Sequence, residues 1–206
     1  MRHHKSAPCD GNLVTRAEYV RLVRSDLYRL RGQADVKFFL RCLLLGGGYG
    51  AFQYIFWMRT CRYLSTQPMA RLLLPFGRLI LRRYGLKYGI DIPYTTEIGC
   101  GFYIGHSGNI VINAQAVIGR DCNVSHGVTI GQANRGSRKG CAHLGDRVYL
   151  GPGAKVVGAV WIGSDVAVGA NCVVTKDVPD CATVVGVPGR MISSEGAVGY
   201  IDHTDY

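Results

Sequence analysis

Two histidines, His106 and His126, are the side chains of this chain best suited to acid–base chemistry. Each stands two positions after an aliphatic residue, Ile104 in one case and Val124 in the other. A neutral imidazole can take a proton from an attacking hydroxyl near pH 7. A single outward-facing histidine is usually only a surface residue, so the case for a site depends on whether the fold brings the two together.

After residue 90 an aliphatic residue recurs every six positions, with two extra residues after Ile104 and eight extra after Ile130. Repeats of this kind form a parallel β-helix, in which each segment stacks its aliphatic side chain on the segment below. The sequence therefore predicts a mainly β fold, with the β-helix at 91–192, a helical region at 1–90 before it and a tail at 193–206 after it. The predicted inward-facing positions are Ile98, Ile104, Ile112, Ile118, Val124, Ile130, Leu144, Leu150, Val156, Ile162, Val168 and Val174.

The repeat predicts that the two histidines lie in one column. A coil takes three six-residue segments, and the two-residue insertion after Ile104 lengthens one coil, so His106 and His126, 20 residues apart, are expected on adjacent coils. The insertion also contains Ser107, Gly108 and Asn109. His126 and Asn109 are therefore candidates for binding a hydroxyl-bearing substrate.

The eight-residue insertion falls within Gln132 to His143 and carries Arg135, Arg138 and Lys139. Loops that leave a rigid scaffold often carry function. Arg135 and Arg138 are candidates for contacting phosphates or an acidic substrate, and a plain solvated loop is the alternative. His143 has a weaker claim to the site.

The net charge of +10 is concentrated in one segment. Residues 36–90 contain nine basic and no acidic side chains, whereas residues 91–206 contain eight basic and ten acidic ones. This distribution argues against a nucleic-acid partner for the β-helical part. A segment that is basic, apolar and free of acids suits an anionic membrane surface or a polyanionic acceptor.

The first 90 residues are predicted to be helical. The Thr15–Glu18 capping box and a C-terminal Gly32 predict a helix over 15–31, and further helices are expected near 34–45 and 50–66, separated by glycines. A third helix of this group is expected to begin at Pro68 and to be kinked or interrupted by Pro75. A solvated basic face, a peripheral membrane attachment and a membrane span remain open, although the uncharged stretch is shorter than the roughly 20 residues that a span requires.

Four segments give the β-helical part of the chain a specific resemblance: Asp91–Pro93, Ile104–Ile112, Val124–Gly131 and Val185–Arg190. Together they resemble the serine acetyltransferase-like branch of the hexapeptide acyltransferases over 91–192. The resemblance implies a left-handed β-helix, assembly as a homotrimer or a dimer of trimers, and acetyl-CoA-dependent O-acetyl transfer without a metal.

The resemblance also implies roles for individual residues. His106 corresponds to the histidine that deprotonates the acceptor hydroxyl, and Asp91, otherwise interpreted as a turn residue, to the carboxylate that orients it. Acetyl-CoA is expected between neighbouring β-helices, against small residues, and Pro152 is expected in the column of the two histidines. The corresponding donor-binding positions are Gly131, Gly151, Pro152, Gly169, Ala170 and Lys176.

Three positions depart from the pattern of serine acetyltransferases. Gly105 stands where an aspartate contacts the serine amine, and Gly140 and Cys141 stand where an arginine and a histidine help to hold the serine carboxylate. A zwitterionic acceptor would then bring charges without partners into a partly dry site. The sequence therefore predicts a carbohydrate acceptor, as in capsule or exopolysaccharide O-acetyltransferases, with L-serine in cysteine biosynthesis as the alternative.

Two other functional classes remain open. A zinc enzyme of the γ-carbonic anhydrase kind shares the β-helix and would use His106, His126 and His143 as ligands at a site between subunits. A non-catalytic membrane or assembly module would not bind CoA. Because the start of the chain has no apolar signal segment and the eight cysteines contain no CxxC pair, we expect a cytoplasmic protein, with peripheral attachment to the inner face of the membrane as an open question.

Overall fold

A computed structural model describes residues 13–45 and 49–206. The predicted glycine separation at 46–48 and the start of the chain lie outside the described residues. Within the described part, four α-helices come first, at Arg16–Arg31 (α1), Val36–Leu45 (α2), Gly50–Thr66 (α3) and Leu74–Tyr88 (α4), with a 3₁₀-helix at Ala70–Leu73. The helices expected near 34–45 and 50–66 are confirmed as α2 and α3.

Helix α1 begins and ends as the sequence predicts. The Thr15 side-chain oxygen accepts a hydrogen bond from the backbone N–H of Glu18 at 3.1 Å. Gly32 follows in the left-handed conformation, with φ of 66°, where a residue without Cβ has no steric penalty. The prediction for 15–31 is therefore confirmed.

The prediction of an α-helix that begins at Pro68 and is kinked or interrupted by Pro75 is wrong, because the α-helix begins at Leu74. The chain forms the 3₁₀-helix first, and α4 begins at Leu74 with Pro75 in its first turn. A proline there loses no hydrogen bond, because the first N–H groups of an α-helix have no partner within the helix. Pro75 therefore marks where α4 starts.

The rest of the chain forms short strands stacked in three sheets. Within each sheet, parallel pairing joins each strand to the third strand after it, so the chain winds as a parallel β-helix. The last strands are the exceptions, because β12 pairs with β14 and β15 returns antiparallel to β14. The first sheet contains β1 (Ile90–Asp91), β4 (Ile110–Ile112), β7 (Thr129–Gly131), β10 (Lys155–Val157) and β13 (Val173–Val174). The second sheet contains β2 (Glu97–Ile98), β5 (Val117–Ile118), β8 (His143–Leu144) and β11 (Trp161–Ile162). The third sheet contains β3 (Tyr103–Ile104), β6 (Asn123–Val124), β9 (Tyr149–Leu150), β12 (Ala167–Val168), β14 (Thr183–Val185) and β15 (Arg190–Ser193).

The predicted inward-facing residues form the core of this stack. All twelve are buried, and the most accessible of them, Ile98, is 9% exposed. The pairing register aligns Ile104, Val124, Leu150 and Val168 in one row. The six-residue period therefore predicted both the core and its register, because a regular coil returns each aliphatic position above the previous one.

A buried polar cluster joins the helices to the first coil. Asp26 of α1 and Arg59 of α3 form an ion pair with an Nε–Oδ2 distance of 2.9 Å and side-chain exposures of 0% and 6%. Arg59 also donates to the carbonyls of Ile98 and Gly99, each at 2.6 Å. Asp26 accepts from the backbone N–H of Phe102 at 2.8 Å. Burial raises the pKa of the Asp26 carboxyl, and the Arg59 guanidinium opposes that rise.

The tail after β15 packs back across the third sheet towards α1. Tyr200 stacks on Tyr149 of β9 with ring centroids 4.4 Å apart. The Tyr206 hydroxyl hydrogen-bonds to Asp121 at 2.8 Å, and its ring lies edge-on to Tyr28 of α1. These contacts cover the outer surface of the third sheet. They lie away from the corner between the third and first sheets, where the turn from β3 to β4 is found.

None of the helices in the described residues combines the length and the apolar character needed to cross a membrane.

Candidate active site

The turn between β3 and β4 carries His106 at an irregularity in the stack. The Gly105 N–H donates to the Val124 carbonyl at 3.1 Å, and the Gly127 N–H donates to the Gly108 carbonyl at 2.7 Å. Gly108 therefore aligns with His126, and the two extra residues are His106 and Ser107 themselves. The prediction that His106 and His126 share one column is wrong, because Gly108 takes that position. The insertion pushes His106 outward from the regular coil.

The two histidines come together at this corner. Their ring centroids are 6.2 Å apart in an edge-to-face arrangement, and both residues are exposed. Asn109, directly before strand β4, is also exposed and has φ of 51°. An imidazole pair open to solvent beside a backbone irregularity can accept a proton from a small bound hydroxyl compound.

Asp91 lies on the strand next to the His106 turn. Strand β1 pairs with β4, with Asp91 opposite Val111, and the Gly89 carbonyl accepts from the Ile110 N–H at 2.9 Å. The C-terminal end of α4 therefore fixes one side of the turn. Within the described residues, Asp91 forms no hydrogen bond to His106, and both side chains are exposed.

Pro152 and Ala170 continue the column of Gly108 and His126. The Gly153 N–H donates to the His126 carbonyl at 2.9 Å, and the Asn171 N–H donates to the Pro152 carbonyl at 2.8 Å. The register therefore aligns His126, Pro152 and Ala170 on successive coils. Within the described residues of this column, His126 is the titratable side chain, with Gly108 on one side and Pro152 and Ala170 on the other.

The three candidate glycines of the donor site differ in whether packing within the chain requires the absence of a side chain. A Cβ on Gly151 would lie 2.9 Å from the Val168 carbonyl oxygen, and one on Gly169 would lie 2.8 Å from a Val185 methyl, so stacking of the coils already requires glycine at both. A Cβ on Gly131 would meet only the Thr129 methyl, at 3.8 Å. The absence of a side chain at Gly131 therefore has no packing reason. Lys176 is exposed in the turn after β13.

Lys155 is a charged neighbour of this corner that the sequence analysis missed. Its ammonium group donates to the Gly127 carbonyl, next to His126, and to the Thr129 hydroxyl at 3.1 Å. Lys155 and Asp91 lie in the same outward-facing row of the first sheet, through Thr129 and Val111. Its position directly before the inward-facing Val156 was the available signal.

The large insertion folds back onto the following coil. Ala133 and Gly140 exchange backbone hydrogen bonds of 3.0 Å, so the loop closes as a short hairpin. Arg138 pairs with Asp177 and donates to the Ala159 carbonyl at 3.3 Å, and this pairing lowers the pKa of the Asp177 carboxyl. Arg138 thus anchors the loop to the stack, whereas Arg135 is exposed at its tip.

The positions that depart from the serine acetyltransferase pattern bring no charge to the site. Gly105 is exposed directly before His106, Gly140 belongs to the loop hairpin, and Cys141 is buried. Burial raises the pKa of the Cys141 thiol, so this group stays neutral near pH 7. The chain itself therefore supplies no amine or carboxylate partner at these three positions.

His143 lies apart from the other two histidines. It belongs to β8 of the second sheet and stacks on Trp161, with ring centroids 5.2 Å apart. The part of the chain that the structure describes contains no group of three His, Cys, Asp or Glu side chains able to hold a metal ion. The three-histidine set considered for a zinc enzyme is not assembled within one chain.

Comparison with known proteins gives consistent relatives. Residues 141–176 match the family model for bacterial transferase hexapeptide (six repeats). The chain is 36% identical over 157 residues to the serine acetyltransferase of Synechococcus elongatus, covering 76% of this chain and 63% of that protein. Its fold is similar to the soybean serine acetyltransferase apoenzyme, with a TM-score of 0.68, 30% identity, and coverage of 83% of this chain and 67% of the other. It is also similar to the serine acetyltransferase of Brucella abortus in complex with coenzyme A, with a TM-score of 0.69, 27% identity, and coverage of 88% and 70%.

The chain spans less than two thirds of the Synechococcus relative. The similarity nevertheless includes both parts of the fold, since the structural match to the soybean enzyme covers 83% of this chain. The repeat, the core register and these relatives agree: the chain belongs to the hexapeptide-repeat acyltransferases, in their serine acetyltransferase-like branch.

Proposed function

We propose that this protein is an acetyl-CoA-dependent O-acetyltransferase. The observation that carries the proposal is the pair of imidazoles, 6.2 Å apart, at an inserted turn of a serine acetyltransferase-like β-helix. A base at this position needs to be accessible to an acceptor, and both rings are exposed. The similarity to a serine acetyltransferase solved with coenzyme A supports acetyl-CoA as the donor.

The proposed reaction is direct transfer. The acceptor hydroxyl attacks the thioester carbonyl while His106 takes its proton, and the collapsing intermediate releases the CoA thiolate, which recovers the proton from the imidazolium. Asp91 would orient His106 once substrates close the site, since catalytic hydrogen bonds often tighten only in the complex. A backbone N–H would stabilise the oxyanion.

The donor is proposed to bind along the column that continues from His126, next to His106. Pro152 and Ala170 present small surfaces there, Gly131 leaves open space that no neighbour fills, and Lys176 is an exposed cation suited to a phosphate. We infer left-handed coils and a homotrimer, with a dimer of trimers as the larger form, in which the donor lies between neighbouring β-helices. Arg135 at the tip of the inserted loop would face the same groove.

L-serine is the better-supported acceptor. The relatives that the chain matches at 36–40% identity are serine acetyltransferases, and this support outweighs the carbohydrate acceptor expected from the sequence. Asn109 and His126 would hydrogen-bond the acceptor beside the base. Lys155, which the sequence analysis missed, adds a cation near the same corner. Its ammonium group would pair with the carboxylate of L-serine.

A carbohydrate acceptor is the second candidate, favoured by one specific observation. Gly105, Gly140 and Cys141 supply no charged partner for a zwitterion. A sugar hydroxyl needs only hydrogen bonds, and an unpaired charge in a partly dry site is expensive. A role in capsule or exopolysaccharide biosynthesis is proposed only for the case that the acceptor is a carbohydrate.

The two acceptors are separated by comparing kcat/KM for L-serine with kcat/KM for nucleotide sugars and capsule oligosaccharides at a fixed acetyl-CoA concentration. We expect L-serine to exceed every sugar by at least about tenfold, which corresponds to about 1.4 kcal/mol of transition-state binding. A Lys155→Met variant tests the proposed carboxylate contact and should raise KM for L-serine, whereas Lys37→Met, on the exposed face of α2, is the matched control and should leave it unchanged. A sugar that exceeds L-serine by the same factor would establish the carbohydrate candidate instead.

A further inference from the structure

The segment formed by the 3₁₀-helix and α4, residues 69–88, presents an apolar stripe to solvent. Met69 is 85% exposed, Leu72 is 83% exposed and Leu86 is 78% exposed. Contiguous exposed apolar surface of this kind is uncommon on soluble proteins and marks a site of interaction. The stripe consists of Met69, Leu72, Leu73, Phe76, Leu79 and Leu86.

The stripe is a second face of α4, distinct from the face that packs in the fold. Gly77 and Leu81 are buried on the other side, where a Cβ on Gly77 would lie 3.2 Å from the Cys61 sulfur of α3. Spacings of three and four residues place Phe76, Leu79 and Leu86 together on the outer face. The core of the protein therefore does not account for these large side chains.

Basic side chains border the stripe. Arg71, Arg78, Arg82, Arg83 and Lys87 are exposed on the same segment, and none of them forms an ion pair within the part of the chain that the structure describes. Leu79 and Leu86, together with Arg82, Arg83 and Lys87, line an open groove of about 600 Å³. The whole stretch 36–90 contains no acidic residue.

We propose that this face binds the surface of an anionic lipid bilayer. The apolar side chains would enter the boundary between headgroups and acyl chains, and the arginine and lysine stems would extend along apolar surface while their charged ends reach lipid phosphates. A second copy of the same face is a poorer occupant, because a two-fold interface would bring these basic groups against themselves. Charge complementarity therefore favours the bilayer.

The test is co-sedimentation of the full chain with two kinds of vesicle, phosphatidylglycerol mixed with phosphatidylcholine and phosphatidylcholine alone. We expect binding to the anionic vesicles at low salt and weaker binding as salt rises, because exposed charges are screened over about 8 Å at physiological ionic strength. The variant Phe76→Glu/Leu79→Glu should bind at least about tenfold more weakly, since it places charge on the inserted surface. Val198→Glu, on the exposed tail, is the matched control and should bind like the wild type.

Circular dichroism and the mass of the assembly in solution accompany each variant, so that a folding defect is recognised. Should Phe76→Glu/Leu79→Glu fail to fold, Arg82→Glu/Arg83→Glu takes its place with the same expected loss of binding. Wild-type protein that stays in the supernatant with anionic vesicles at low salt would overturn the proposal. So would folded variants that bind like the wild type, or stripe variants whose only change is a smaller assembly, since a second copy would then cover the stripe.

Discussion

Replacing His106 with alanine is expected to lower kcat by about 10²–10⁴-fold, the usual contribution of a positioned general base. The imidazole is exposed and lies in a two-residue insertion outside the regular coil, so its removal leaves the core untouched. Thermal unfolding and CoA affinity should therefore stay close to the wild-type values. Steady-state kinetics on the purified variant measure the loss.

Two neighbouring variants make this result specific. Ser107 belongs to the same insertion and is also exposed, so Ser107→Ala should retain near wild-type turnover. His126→Ala should raise KM for the acceptor more than it lowers kcat, because His126 is assigned to binding. Near wild-type turnover in His106→Ala combined with an inactive His126→Ala would transfer the role of base to His126.

Replacing Asp26 with alanine is expected to lower the free energy of unfolding by about 3–5 kcal/mol. The change leaves the Arg59 guanidinium buried without its carboxylate and removes the acceptor of the Phe102 N–H. Equilibrium denaturation in urea, at one fixed protomer concentration, measures the change, because an oligomer's stability depends on concentration.

An exposed ion pair provides the control for burial. Arg120 pairs with Asp146 at 3.0 Å, but the Arg120 side chain is 59% exposed, so Arg120→Ala should cost no more than about 1 kcal/mol. Similar losses for Asp26→Ala and Arg120→Ala would mean that the buried cluster does not hold the helices to the first coil.

The part of the fold that is repetitive could be predicted from the sequence. A six-residue period fixes the inward-facing positions directly, so Ile112 and Leu150 were identified as core without any knowledge of tertiary contacts. The same counting predicted that His106 and His126 are neighbours, which is confirmed, but it gave the wrong register, because Gly108 aligns with His126. It could not show that His106 and Ser107 are themselves the extra residues, because that depends on which backbone groups pair across the coils.

The six-residue repeat does not predict contacts between distant parts of the chain. Asp26, Arg59 and Gly99 meet only after the helices dock, and no local rule links residues 33 and 40 positions apart. Lys155 was missed for a similar reason, since its contact with Gly127 arises from coil stacking. Pro75 was misjudged because a proline that breaks a helix and one that begins a helix look alike until the start of the helix is known.

The central claim is that this chain transfers an acetyl group from acetyl-CoA to a hydroxyl at the His106 corner. The most direct measurement is the initial rate of thiol release from acetyl-CoA by the wild-type chain, with and without L-serine or a sugar acceptor, followed by mass spectrometry of the acceptor. We expect thiol release that depends on an acceptor and yields an O-acetyl ester in matching amount. Thiol release that is absent, or equal with and without every acceptor, would contradict it.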